Sequence, residues 1–365
     1  VSARQAVAAA LGLTLLAACS AEEDAPRPAG PNVPGPAAAS PSESHTETRK
    51  FRGWLAVCDN GRDCFAFAGP VDGDTGWLRI ALPAGPDARP AVWAGRAAWD
   101  EADQPLVVEV DGRQWPTGAP EPQDGGDIGA QGVVTQDVSG LINALGQSRS
   151  IRLLAGGQPV AVLSPSGAAA ALLWLDERQG RLGTDTAVFR KGDRPAAAVP
   201  AGPALPPAPR PTGLAQPLEA RRAPAAAELL LKIVACRADM AERKDLEIPD
   251  QGWRLPDGRH LWAIPCFVGA YNVGQSWTIT DAAGGQSRLL SLPSSRSALD
   301  ETVNGEFDPA TQTLTAFNKG RGLGDCGILS RWVWTGDAFA LESESEMREC
   351  WGAPPEAWPT TWRTR

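Results

Sequence analysis

The decapeptide NKGRGLGDCG, Asn318 to Gly327, places four glycines beside Lys319, Arg321, Asp325 and Cys326. Glycine-rich loops bearing cations cradle phosphate when a helix opens directly behind them, because the first N–H groups of that helix converge on the anion. Here the strand-like run TLTAFNK leads in and the strand-like run ILSRWVW leads out. The Lys-Ser or Lys-Thr pair that closes a phosphate loop is missing too. The loop is therefore expected to be a glycine-rich strand connection fixed by Cys326. It would present Lys319, Arg321 and Asp325 on a rigid base as candidate binding groups.

Cysteine is the strongest chemical signal. Setting Cys19 aside, six remain: Cys58, Cys64, Cys236, Cys266, Cys326 and Cys350. An even set in an exported chain implies disulfides. Cys58 and Cys64 flank DNGRD, whose Asn60-Gly61 step is a tight-turn signal between two strands, so they face each other across a hairpin. Cys326 precedes one strand and Cys350 follows the next, around the turn Thr335-Gly336-Asp337, so both lie near one end of a second hairpin. That leaves Cys236 with Cys266, joining a helix to a strand. Each bridge contributes about 2–4 kcal/mol. The alternative use of the sulfurs is metal ligation. No C-x-x-C pair occurs, and the histidines are His45 and His260, so neither a metal nor a cofactor is expected.

The remaining cysteine follows an apolar run. Arg4 precedes Ala6 to Ala18, a stretch too short to span a bilayer and suited to a signal-peptide core. It ends in Leu16-Ala17-Ala18-Cys19, which resembles a bacterial lipobox. That resemblance implies cleavage after residue 18 and acylation of Cys19, with the membrane as a partner. Ser20, where inner-membrane lipoproteins carry Asp, implies the periplasmic face of the outer membrane. Residues 19–50 carry much Pro, Ala and Ser with no apolar period, and read as a disordered tether.

The sequence offers no catalytic residues. No G-x-S-x-G elbow occurs, and a Ser–His pair would have to use His260 at a strand entrance. Asp176 and Glu177 beside Arg178 and Arg181 are expected to form a surface salt-bridge cluster, and Glu306 and Asp308 to serve a turn. Trp332 and Trp334 share one strand face. They are candidate sugar-stacking groups, weighed against filling the β core together with Trp351, Trp358 and Trp362. The run ALESESE is expected to be a solvated strand face, able to attract a basic partner. A net charge of −9 argues against nucleic acid as a partner.

These residues need elements to hold them. Residues 51–193 give short β-rich runs (WLAVC, CFAFA, WLRIAL, PLVVEVDG, SIRLLAGG, PVAVLS) and one helix, expected from Ser164 as N-cap through Pro165 to a stop at Gly180. Residues 194–224 are a Pro/Ala-rich linker. Residues 225–365 open with one helix, APAAAELLLKIVACRADMAERKD, and continue as strands. The fold class is mainly β with a few helices: two disulfide-stapled antiparallel β domains.

WLAVCDNGRDC, LLWLDERQGRLGT, PCFVGAYN, KGRGLGDCG and ECWGAPPEAWPTTWR resemble a bacterial family, domain of unknown function 1176, from about residue 51 onward. The resemblance implies an exported protein with six cysteines and supplies no catalytic residues. The first half also resembles the invasion-associated locus B proteins, which implies a β-sandwich-like fold there. The expected role is a cell-envelope lipoprotein acting by non-catalytic binding or structural interaction, with an envelope protein or glycan as partner. A glycan-directed hydrolase, or an inhibitor of one, is the competing class.

Overall fold

In the strands Trp54–Cys58 and Cys64–Ala68 every residue is buried, although alternate side chains point to opposite faces. A sheet buried on both faces must lie between two cores, and this requirement organises the molecule. The computed structural model describes residues 46–71, 73, 75–97, 104–119, 130–243 and 245–365. The expected signal peptide, Cys19 and His45 lie outside the described residues.

The chain is mainly β, with four helices and several antiparallel sheets among the described residues. The first sheet has six strands, in the order Glu47–Phe51, Trp54–Cys58, Cys64–Ala68, Trp77–Leu82, Ala91–Arg96 and Ala130–Val134. Its inner face packs Trp54, Ala66, Leu78, Ile80 and Val92 against a four-stranded sheet that supplies Val108, Ile151 and Leu153. The helices Val138–Leu145 and Ala168–Arg178 close this core.

The second half repeats the plan with two further sheets. One is built on the long strands His260–Val268 and Val273–Thr280, the other on Thr313–Lys319, Gly327–Trp334 and Phe339–Met347. Their shared core is aromatic: Trp253, Trp277, Phe307, Trp332, Trp334 and Phe339. Helix Leu231–Ala241 covers the back of the third sheet at Trp262 and Ile264.

A third core joins the halves. Leu55, Val57, Phe65, Phe67 and Trp77, on the outer face of the first sheet, meet Met347, Trp351, Ala353 and Trp358 from the C-terminal segment. Gly69 lies so close to Trp351 that a Cβ there would sit 2.2 Å from the indole. On the same outer face the Arg79 guanidinium is layered between the rings of Phe65 and Trp93, at 5.0 and 4.9 Å, and burial pulls its pKa down to about 10. The stretch 194–224 between the halves buries Val199, Ala215 and Ala223 and adds the short strand Gln216–Pro217.

Three boundaries differ from the sequence reading. Glu47–Phe51 pairs with Trp54–Cys58 instead of extending the tether to residue 50. The first expected helix starts at Ala168, not at Pro165. The backbone of 164–166 is already bonded to the first sheet, with Ser164 N–H donating to Gly69 O and Gly53 N–H to Ser166 O. The helix expected to open the second half is two, Ala225–Glu228 and Leu231–Ala241. The helix Val138–Leu145, capped by the Asp137 carboxylate on Gly140 N–H, was not expected.

Candidate functional site

All six cysteines in the described region form disulfides: Cys58–Cys64, Cys236–Cys266 and Cys326–Cys350. The first closes the tight hairpin register, in which Cys58 and Cys64 are direct partners. The third ties the loop before Gly327–Trp334 to the segment after Phe339–Met347. Asp325 approaches the two sulfurs of this bridge. With both sulfurs bonded to each other, the group offers a single carboxylate, and protein donors already hold that carboxylate.

The glycine-rich loop is a strand connection. Its two strands pair from Thr313–Val333 to Lys319–Gly327, and Gly320 N–H donates to Cys326 O at 2.8 Å. Gly327 has φ 140°, and a Cβ there would lie 2.0 Å from Asn318 O, so only glycine closes the turn. The candidate polar groups are engaged within the loop itself. Arg321 grips fully buried Asp325 with two hydrogen bonds of 2.6 and 2.5 Å, and Gly352 N–H donates to the same carboxylate at 2.7 Å. The hydrogen bonds from Arg321 to Asp325 raise the arginine's pKa. The Lys319 ammonium lies 5.2 Å from the Phe317 ring centre. Of the three, Asp325 does not face solvent as a binding group, because it is the buried anchor of the loop.

Asp176 and Arg181 correct the expectation of a surface cluster, since both are wholly buried. The Asp176 carboxylate accepts from Val188 N–H at 2.8 Å and Phe189 N–H at 3.2 Å. Burial pushes its pKa up to about 6 against the opposing pull of those bonds and of Arg181. Arg181 donates to Gln179 Oε1 at 2.8 Å and to Gly85 O. Gln179 in turn donates to Arg62 O and Leu82 O, at 2.7 and 2.8 Å. Glu177 and Arg178 remain at the surface as a loose pair at 3.8 Å. Asp308 does serve a turn, accepting from Ala310 N–H and the Thr311 hydroxyl.

A comparable clamp spans the halves. The Asp59 carboxylate, buried in the DNGRD loop, accepts from Arg363 Nε at 2.5 Å. Asn60 and the Arg363 backbone exchange two hydrogen bonds of 2.9 and 3.0 Å. Burial raises the Asp59 pKa and Arg363 opposes that shift. Locally DNGRD signals only a turn, and nothing in its sequence announces this contact.

Trp332 and Trp334 are 1 % and 0 % exposed, so the core role holds and neither is a surface platform for sugar. Trp351 and Trp358 are buried between the halves. Trp332 still has a place at an opening. A cavity of about 270 Å³ lies between the segment Leu299–Val303 and the inner face of the fourth sheet, where Ala316, Asn318, Ile328, Ser330 and Trp332 form its floor. The short strand Thr302–Val303, paired with Val273–Thr280, holds the opposite wall in place. Trp332 Nε1–H donates to Pro293 O at 2.6 Å, which fixes the indole.

Behind Ser330 sits Glu344, 4 % exposed. It accepts hydrogen bonds from the hydroxyls of Thr361 (2.8 Å), Ser330 (3.4 Å) and Ser295. This corrects the reading of ALESESE as a solvated face. A bulge between Arg331 and Trp332 shifts the pairing, and Glu342 falls in the irregularity. At the rim, Asp300 is largely exposed and Glu301 is bound to Lys232 at 2.7 Å. Two larger openings, of about 630 and 420 Å³, are walled by mixed charges, Arg221, Arg222, Glu247 and Asp250 in one and Asp87, Arg89, Asp185 and Lys191 in the other.

The segments quoted above as motifs thus meet one another across the fold. PCFVGAYN reaches KGRGLGDCG where Asn272 Nδ2–H donates to Lys319 O at 3.0 Å. WLAVCDNGRDC meets the C-terminal TTWR at Asp59–Arg363 and the LLWLDERQ helix at Gln179–Arg62.

Residues 48–365 match the family described as Protein of unknown function (DUF1176), and the chain belongs to it. It is 31 % identical over 353 residues to the uncharacterised protein YpfG of Escherichia coli (strain K12), covering 87 % of this chain and 93 % of that protein. Among solved structures, the invasion associated protein B from Bartonella henselae aligns over 37 % of this chain and 99 % of its own, at 15 % identity and a TM-score of 0.29.

Proposed function

We propose that this member of the DUF1176 family is an exported, lipid-anchored protein of the cell envelope that works by binding, with the cleft over Trp332 as its ligand site. The observation that carries the reading is the closure of all six cysteines of the described region into disulfides, which leaves Cys19 as the seventh. Disulfides persist in oxidising compartments. A leader cleaved after Ala18 delivers the chain there, and the leftover thiol of Cys19 carries diacylglycerol.

Binding is favoured over hydrolysis by the way the motif carboxylates are held. Asp59, Asp176 and Asp325 all accept hydrogen bonds that fix loops, and each is buried. The cleft has a mixed lining and, at about 270 Å³, falls just under the roughly 300–1,000 Å³ usual for ligands, a size for a small group such as one sugar ring.

Intact-mass measurement of the mature chain from its native host tests the reading. Alkylation should add mass at six sulfurs only after reduction, and the N-terminal peptide should begin at Cys19 with acyl chains attached. Free thiols before reduction would overturn export, and an unmodified Cys19 would overturn anchoring. For the cleft, soluble peptidoglycan fragments should raise the melting temperature of the wild type and leave Ile328→Trp unchanged. Equal shifts in both proteins would place the ligand elsewhere.

A further inference from the structure

The helix Leu231–Ala241 is apolar on two opposite sides. Its inner side packs Ile233 against Trp262 and Ile264, and the Cys236–Cys266 disulfide fixes it there. At about 3.6 residues per turn, Leu231, Val234, Ala235 and Ala238 share the outward side, and no charged residue joins them before Glu242. Leu231 is 88 % exposed, Val234 52 %, and Leu229, immediately before the helix, 80 %. A surface helix ordinarily turns charged groups to water, whereas one that is apolar all round is covered.

We infer that this ridge rests on a lipid bilayer. The inference builds on the lipid-anchor reading of Cys19. Two features of the ridge favour a bilayer over a protein partner. It is a convex strip two turns long, too small for the roughly 1,200 Å² that a stable protein interface buries, and a bilayer demands no matching shape. Its N-terminal end also carries a basic group suited to an anionic headgroup, the largely exposed Arg222, which pairs with Glu228 at 3.2 Å, while the acids Asp239 and Glu242 lie toward the helix's far end. Thr46 lies 27 residues beyond Cys19, roughly 90 Å at full extension, so an acylated chain can bring the helix to the membrane that holds it. Acyl chains alone tether the body, and the ridge would fix which side of it faces the lipid.

A photoreactive benzophenone amino acid placed at position 231, 234 or 162 of the full chain, expressed in its native envelope, tests this. Val162 is 47 % exposed and belongs to the other half, which makes it the control. Irradiation should give phospholipid adducts at 231 and 234 several-fold above those at 162. Adducts at 231 to a second copy or to another protein would overturn the inference, as would equal lipid labelling at 162 or none anywhere. The N-terminal peptide is weighed from the same sample. An unacylated Cys19 there removes the anchor reading, whatever the ridge positions report.

Discussion

The two halves are built to one plan and close their cores differently. The first packs mostly Leu, Ile, Val and Ala between its sheets, with Trp54, Trp115 and Trp174 set singly among them, and seals the loop ends with buried polar groups, Asp176, Gln179 and Arg181. The second packs a lattice of rings. Trp253 and Trp277 stack at 6.0 Å, and Phe307 meets Trp253 edge-on at 5.1 Å. Trp334 meets Phe339 edge-on at 5.2 Å. Rings are large and rigid, so they fill one end of the sandwich completely. Where the ring series gives way to Ala316 and Ser330, the space between the walls stays open as the cleft. Small branched side chains can close a core evenly, whereas a ring lattice closes it where the rings are.

The sharpest way to break this comparison is to remove the centre of the lattice. Trp277 is fully buried, touches Trp253, Phe307 and Phe339, and donates Nε1–H to Thr302 Oγ1 at 2.9 Å. Trp277→Ala should cost about 3–5 kcal/mol in urea unfolding. The apolar core shared between the halves predicts one transition, with both halves lost together. Two separated transitions would show that the halves fold independently.

Arg363→Ala comes next, at about 3 kcal/mol, because it leaves the buried Asp59 carboxylate without its cation. Burial already raises the Asp59 pKa, and removing Arg363 raises it further. The variant's loss should therefore be greatest at neutral pH and shrink as acid protonates Asp59. A loss that does not shrink as the pH falls would mean that Asp59 is not the group left stranded.

The first half has its own acid-linked group. Asp176 is pushed from an ordinary 3.8 to about 6, so the folded state holds a proton that the unfolded chain has released. Its contribution is fully present below about pH 4, declines as pH rises and is gone above about pH 6, a change of up to about 3 kcal/mol. Asp176→Asn cannot titrate and should flatten the stability profile across that window. An unchanged slope would assign the titration to another group.

Much of this arrangement was legible in the sequence because its causes are local. Asn60-Gly61 and Thr335-Gly336-Asp337 set two hairpins, and the hairpins bring two pairs of cysteines together. The contact between the halves was present too, in WLAVC and CFAFA, whose lack of alternation marks strands covered on both faces. The same test flags helix Leu231–Ala241. What could not be read is the pairing of groups far apart in sequence. Asp59 and Arg363 are separated by 304 residues, and nothing near either one announces the other. Asp176 looked superficial because charged neighbours surround it, and its burial depends on the return of Val188 and Phe189 over the helix end.

The smallest expected effect separates the two ways of closing a core most directly. Ala94, in the first half, is fully buried within an aliphatic core, and two added methyl groups there have no free space to enter. Ala94→Val should cost about 1–3 kcal/mol through overpacking. Ala316 carries the same side chain but lines the cleft, where added methyl groups meet open volume. Ala316→Val should change stability by no more than about 0.5 kcal/mol in either direction, as valine's fit to the strand offsets the crowding. It should also narrow the cleft enough to weaken whatever binds there, a change visible in the ligand-induced melting shift and absent from the melting temperature of the free protein. If Ala316→Val proved as costly as Ala94→Val, the cleft would be packed space, and the second sandwich would be closed along its whole length like the first.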